Sequence, residues 1–236
     1  MRKRLLIIVG VCFLFFGFSL EIVQAQEQQN IASSFQKSIK KQLNTSVPIV
    51  LPNKLPLVKN TYINAKATAT SNSYKIVYYA LPKPFAVNAK EVKKASVHDA
   101  VIRITGKRYD TKEKATNQLA MESYYSTASP KIKIQKGING YLDAGAGSEW
   151  LSWKVDNWLF ISQTATSASK KNLEIARSTM QFLKKNNLPI PKQAGVVHFG
   201  KNAQYYGVKW QQDKIIYEVQ LVKDSTTLLQ IMSSIK

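Results

Sequence analysis

The spacing of apolar residues separates helical from extended segments of the chain. Ile31, Phe35, Ile39 and Leu43 recur every four residues, which predicts an amphipathic helix. Apolar residues at helical spacing predict three more helices, at 111–120, 169–186 and 225–234. Alternating and β-branched runs predict strands at 62–70, 74–81, 100–105, 131–134, 151–155, 158–164, 195–199, 205–210 and 215–221.

Proline divides the first helix from the strand-rich part. Pro48, Pro52 and Pro56 exclude a long helix and predict an extended connector whose apolar residues pack onto the main body. We therefore expect four parts, and the alternative that residues 61–236 form one compact domain stays open. The parts are 1–25 (signal peptide), 26–60 (helix and connector), 61–129 (first α+β portion) and 130–236 (two hairpin–helix units).

Two stretches near the C-terminus follow one plan. The first stretch has a strand with Trp153, a turn, a strand that begins at Trp158 and then a helix. The second has a strand with Trp210, a turn, a strand that begins at Ile215 and then a helix. This predicts a duplicated strand–hairpin–helix unit. The predicted fold class is α+β, with antiparallel sheet segments and the helices packed on one face. We expect the glycine-rich segment 137–150 to form a tight connection between strands.

The C-terminal hairpin and helix carry a family resemblance. With Trp210, Tyr217 and the apolar segment 228–231, residues 130–236 resemble uncharacterised extracytoplasmic domains of Gram-positive secreted proteins and lipoproteins. The resemblance implies a location in the cell envelope and assigns no activity.

The first 25 residues read as an export signal. Arg2, Lys3 and Arg4 precede a 16-residue apolar run that ends at Leu20, and the run is shorter than the roughly 20 residues of a bilayer-spanning helix. We expect cleavage between Ala25 and Gln26, and an uncleaved N-terminal anchor is the alternative. Val11 before Cys12 does not fit a lipidation signal, and cleavage would leave the mature chain without cysteine.

Positive charge is the strongest feature of the composition. The chain has 34 basic and 14 acidic residues, a net charge of +20, and cleavage after Ala25 would leave +18. Nearly all the cations are lysines, which attract polyanions generally, whereas arginine supplies the bidentate contacts of sequence-specific recognition. The expected partners are anionic cell-wall polymers or the membrane surface, without sequence-specific binding of nucleic acid. Lysines that only solvate the surface are the alternative.

Few residues suggest catalysis. Asp143 and Glu149 flank the glycine-rich segment and are candidates for the carboxylate pair of a wall-glycan hydrolase. His98 and His198 lie 100 residues apart and belong to no recognised nucleophile or metal motif. We therefore expect no metal and no cofactor.

Aromatic and basic residues cluster around the same segment. The candidate binding residues are Lys131, Lys133, Lys136, Trp150, Trp153 and Trp158. Because strands alternate, packing of the tryptophans in the core is the competing interpretation. The predicted function is a secreted, non-enzymatic envelope protein retained at the wall by its charge. A glycan hydrolase and a carrier of an apolar ligand are the alternatives.

Overall fold

The computed structural model describes residues 28–56, 58–120, 125–200 and 206–235. The predicted signal peptide, with Ala25 and Gln26, lies outside these residues. Within them the structure has twelve strands and five α-helices. The strands are β1 (Gln28–Asn30), β2 (Lys54–Pro56), β3 (Tyr62–Thr70), β4 (Ser73–Leu81), β5 (Ala100–Arg108), β6 (Lys131–Gln135), β7 (Ile138–Gly145), β8 (Ser148–Val155), β9 (Trp158–Ala165), β10 (Gly195–Phe199), β11 (Gly207–Gln212) and β12 (Ile215–Gln220). The helices are α1 (Ser33–Lys41), α2 (Lys90–Lys93), α3 (Lys112–Ala120), α4 (Lys170–Leu183) and α5 (Ser225–Ser233).

Ten of these strands form one sheet. Their order is β3-β4-β5-β12-β11-β10-β9-β8-β7-β6, while β1 and β2 pair separately. Every pairing in the ten-stranded sheet is antiparallel except that of β9 with β10, which are joined through α4. The α+β class is therefore confirmed as a large, mostly antiparallel sheet with helices.

Two meanders lie side by side in the sheet. Strands β7, β8 and β9 lead into α4, and β10, β11 and β12 lead into α5. Pairing of β5 with β12 joins the predicted first portion, 61–129, to the second. That these units arose by duplication stays a prediction.

The sheet has two differently covered faces. The first face, defined by Phe160, Val197 and Val219, shares a buried core with α1, α4 and α5. Stacked rings lie in this core, with 5.4 Å between the ring centroids of Trp153 and Phe160. The alternate residues on the same strands must face the other way, because successive strand side chains point to opposite faces.

The second face, defined by Leu159, Ile161 and Ile216, carries α3, whose Ala115 and Leu119 pack on it. Val92 of α2 packs near the β3–β4 edge against a separate buried group: Val77, Tyr79 and Leu81. The expectation that all helices pack on one face was therefore wrong. The reason is that both faces of β9 and β12 are apolar over part of their length, so each needs a cover.

The proline-rich connector packs onto the body as predicted. Val47, Leu51 and Leu55 are buried in the core of the first face. Tyr217 Oη donates to the Pro48 carbonyl at 3.0 Å, and the Val50 N–H donates to Tyr74 Oη at 3.1 Å. Two sheet tyrosines thus fix the connector.

The glycine-rich segment holds more structure than expected. It contains strand β7, which pairs with β8 through a two-residue turn. Ala146 and Gly147 have positive φ angles of 47° and 71°, which suit the right-handed twist of a tight hairpin. The expected tight connection is thus confined to these two residues.

Candidate functional site

A cavity of about 740 Å³ opens on the second face, and we call it the cross-strand cavity. It extends across the strands from β7 to β12. Its lining contains serines, glutamines, aromatic rings and a few charged residues. These include Ser126, Tyr141, Asp143, Trp150, Ser152, Gln163, His198, Tyr206, Lys209, Glu218 and Gln220.

The pairing register of the strands determines which residues form the floor of the cavity. Tyr141, Ser152, Ile161, His198 and Gly207 pair directly from strand to strand across β7 to β11. Ile161 and Ser152 are buried, while Tyr141 and His198 are half-buried. The floor therefore runs perpendicular to the strands.

A second row lies beside this floor. Asp143 pairs with Trp150, and Trp150 pairs with Gln163. The half-buried indole of Trp150 thus has a carboxylate on one side and an amide on the other, and all three side chains line the cavity.

Tyrosines flank the β7 end of the cavity. The rings of Tyr125 and Tyr141 meet edge to face, with centroids 5.4 Å apart. Lys154 Nζ lies 4.3 Å from the centroid of Tyr125. Burial, and then the neighbouring Tyr141, raises the pKa of Tyr125.

A polar network forms the β12 end. Gln220 Nε2 donates to Glu218 Oε1 at 2.6 Å and its Oε1 accepts from Arg103 Nη1 at 3.1 Å. Lys209 Nζ lies 3.5 Å from Glu218 Oε1, with both side chains largely buried. Thr105 Oγ1 also donates to Glu218, at 3.5 Å. The Glu218 carboxylate is therefore already engaged by neighbouring donors.

The structure separates the predicted carboxylate pair. Asp143 lines the cavity, whereas Glu149 pairs with Ala144 and points to the first face. There its Oε1 accepts from Asn172 Nδ2 of α4 at 3.2 Å. The pairing of these two as a glycosidase acid and base is wrong, because the sheet lies between them.

Asp143 and Glu218 also cannot form such a pair. They lie on β7 and β12, five inter-strand steps of roughly 4.8 Å apart, or about 24 Å across the sheet. Glycosidase carboxylates are at most about 10 Å apart.

The three candidate tryptophans have different positions. Trp153 is 0% exposed and Trp158 is 6% exposed, so both belong to the core and offer no ligand surface. Trp158 Nε1 donates to the Pro189 carbonyl at 3.1 Å. Their assignment as binding residues was wrong, because they lie on the covered first face. Only Trp150 of the three reaches the cavity.

The candidate lysines lie at the β6 edge. Lys131 and Lys133 are exposed on β6, and Lys131 pairs directly with Tyr141, so both side chains share the second face. Lys136 is exposed in the turn that follows. All three lie outside the cavity lining.

Sequence reasoning missed Tyr141, Gln163, Glu218 and Gln220. The available signal was their position: Glu218 and Gln220 alternate with the apolar residues of β12 and therefore face away from the core. Which alternating residues of different strands meet depends on strand order, which the sequence does not state.

The described residues contain neither a group of metal ligands nor a membrane-spanning helix. Among residues 28–56, 58–120, 125–200 and 206–235, no three His, Cys, Asp or Glu side chains are grouped to hold a metal ion. His98 is exposed in a short 3₁₀ turn, far in sequence from His198 in β10. In the same ranges no helix is both long and apolar enough to span a membrane.

Comparisons of the chain with protein-family models, curated proteins and solved structures found no match. The resemblance to extracytoplasmic domains therefore stays a prediction.

Proposed function

We propose that this protein is a secreted, non-enzymatic protein of the bacterial cell envelope that binds anionic surface polymers through the second face of its sheet. The arrangement of the lysines supports the proposal. In the described chain, all seven lysines on strands of the ten-stranded sheet belong to the second face: Lys66, Lys75, Lys107, Lys131, Lys133, Lys154 and Lys209.

The imbalance of charge on this face is the decisive point. A buried first face excludes lysines, so their location alone would be expected. Arg103 adds an eighth cation, yet the described strands place only Asp143 and Glu218 on the same face as acidic residues. The face therefore carries an excess of six positive charges that a polyanion can neutralise.

The type of cation favours a polymer over a defined anion. Ammonium groups are strongly hydrated point charges, and five of the seven lysines are exposed and spread from β4 to β6. Such a surface attracts a long anionic chain without reading its sequence. Apolar atoms make up most of the cavity's lining, so a carrier of an apolar ligand stays the alternative function.

The test compares two variants that lose the same charge from different places. One removes four exposed lysines of the second face by substitution with Gln: Lys75, Lys107, Lys131 and Lys133. The control removes four exposed lysines of α1 and of the segment after α4 by the same substitution: Lys40, Lys41, Lys184 and Lys185. Binding is measured by co-sedimentation with purified cell walls and with anionic vesicles, from 50 mM to 1 M salt.

We expect the second-face variant to bind far more weakly than the control. A lysine near an anionic surface contributes about 1 kcal/mol, so losing four corresponds to on the order of 1,000-fold in affinity. Wild-type binding should disappear toward 1 M salt. An equal loss of affinity in both variants, or binding that survives high salt, would contradict the proposal. Binding to vesicles but not to cell walls would identify the membrane surface, and not wall polymers, as the ligand.

A further inference from the structure

The cross-strand cavity is long in the direction across the strands. Its lining begins at Tyr141 and Asp143 on β7 and ends at Glu218 and Gln220 on β12. Five inter-strand steps give a length of roughly 24 Å. A cavity of this length fits a segment of an extended chain better than one small molecule.

The part of the cavity on β7, β8 and β9 offers groups that suit hydroxyls. Asp143 Oδ1 accepts from the Ala144 N–H, and its second oxygen can accept from a ligand. Gln163 donates one N–H to Ser148 Oγ and keeps a second N–H and its carbonyl oxygen for a ligand. The buried Ser152 hydroxyl donates to the Tyr141 carbonyl at 3.4 Å and can still accept. A ligand rich in hydroxyl groups needs donors and acceptors of this kind, because each hydroxyl removed from water must find a partner.

The indole of Trp150 adds a stacking surface between these polar groups. Asp143, Trp150 and Gln163 are direct neighbours on β7, β8 and β9, and all three line the cavity. An aromatic ring can pack against the C–H face of a sugar ring while its neighbours bond the equatorial hydroxyls. This juxtaposition is the feature that distinguishes the cavity from a merely basic surface.

Cations lie at both ends of the cavity. Lys131 pairs with Tyr141 beyond one end, and Arg103 bonds Gln220 at the other. Between them the lining contains Asp143 and a glutamate already engaged by Lys209. Negative groups of a bound chain are thus favoured at the two ends of the cavity, away from Asp143 and Glu218.

We propose that the cross-strand cavity binds an extended anionic glycan that lies across the strands, with Trp150 stacked on a sugar ring and Asp143 and Gln163 bonded to its hydroxyls. This inference depends on the proposed function and narrows its ligand from any anionic polymer to one containing sugar rings. A single-stranded nucleic acid, which also presents rings to aromatic side chains, is the competing ligand that the test must separate.

The experiment measures binding of four probes to the purified full chain by isothermal titration calorimetry. A hyaluronan octasaccharide is the anionic glycan, and a maltooligosaccharide of equal length is the neutral one. Inorganic polyphosphate supplies charge without rings, and oligothymidylate supplies charge with stacking bases. The variants are Trp150→Ala and Gln163→Ala, with Tyr62→Ala as the control because Tyr62 is an exposed aromatic residue outside the cavity.

We expect Trp150→Ala and Gln163→Ala each to weaken hyaluronan binding at least tenfold and to leave polyphosphate binding within twofold of wild type. Tyr62→Ala should change neither. Circular dichroism checks that each variant is folded, and Gln163→Ala tests the cavity if loss of the half-buried Trp150 side chain unfolds the chain.

Four results would overturn the inference in distinguishable ways. If polyphosphate and hyaluronan bind equally and neither cavity variant changes either, the proposed function stands and the glycan site is wrong. If none of the anionic probes binds, the proposed function itself fails. Tighter binding of oligothymidylate that depends on Trp150 would make the cavity a nucleic-acid site, and equal binding of the neutral sugar would remove the anionic requirement.

Discussion

The contact between Gly195 and Trp158 allows a quantitative test of the packing. The two residues pair directly across β10 and β9, and the indole covers the glycine. A Cβ atom on residue 195 would lie 2.8 Å from Cη2 of Trp158 and closer still to two other ring atoms. Carbon atoms normally approach to about 3.5–4.0 Å, so Gly195→Ala forces the indole to move.

The expected cost follows from what the indole would lose. Overpacking a closely packed site costs about 1–3 kcal/mol, and weakening the bond from Trp158 Nε1 to the Pro189 carbonyl costs about 1 kcal/mol more. The lower chain entropy of alanine offsets about 0.4–1 kcal/mol. We therefore expect Gly195→Ala to lower the free energy of unfolding by about 1–3 kcal/mol.

The assay is urea denaturation followed by far-ultraviolet circular dichroism. Gly145→Ala is the control, since its nearest neighbour, Trp150 Cζ3, would be 4.0 Å from the new methyl group and its φ is not positive. The control should be neutral or slightly stabilising. In a Trp158→Phe background the cost of Gly195→Ala should fall by more than 0.5 kcal/mol, because the smaller ring leaves room.

One result would refute this reasoning directly. If Gly195→Ala lies within 0.5 kcal/mol of wild type, the indole does not occupy the position described. If Gly145→Ala destabilises as much, the effect belongs to glycine in strands generally and not to this contact.

Other predictions concern the tyrosines and the processing of the chain. Tyr217→Phe should lower the free energy of unfolding in urea by about 1 kcal/mol, because it removes the hydrogen bond to the Pro48 carbonyl. Tyr78→Phe should be neutral or stabilising, because the buried Tyr78 hydroxyl has no partner in the described chain. If Tyr78→Phe destabilises the protein more than Tyr217→Phe does, both assignments are contradicted. Burial raises the pKa of Tyr78, so its neutral form stabilises the fold below pH 10 and this contribution is lost as the pH rises further. Between pH 10 and pH 11 the free energy of unfolding should therefore fall by about 1 kcal/mol less in Tyr78→Phe than in the wild type. An equal fall in both proteins would refute the raised pKa of Tyr78. Mass spectrometry of the exported protein should find Gln26 at the N-terminus, and a retained residue 1 would show an uncleaved anchor.

Short-range pattern was enough to predict most of the elements. The four-residue spacing through Phe35 and Ile39 predicted α1, and the apolar stripe through Ala176 and Met180 predicted α4. Both signals are local, because the side chains that share a helix face are three or four residues apart. The hairpin turn at Asp156 is local for the same reason.

Strand order, in contrast, is decided by contacts that are distant in sequence. Any exposed strand edge offers the same backbone donors and acceptors, so nothing local tells β5 to pair with β12 or β9 to lie parallel to β10. The strand lysines share one face, and Asp143 meets Trp150 and Gln163, only once these registers are set.

Residues 143–158 show most clearly what is decided locally and what is decided by the tertiary structure. Alternation along β8 already required Trp150 and Trp153 to point in opposite directions. Only the position of α4 and the core determined that Trp153 is the buried one and that Glu149 faces Asn172. The sequence by itself determined most of the helices and strands and the positive charge of this protein. The tertiary structure decided which side of the sheet carries the strand lysines, because one face is buried under α1, α4 and α5 and much of the other stays open to water.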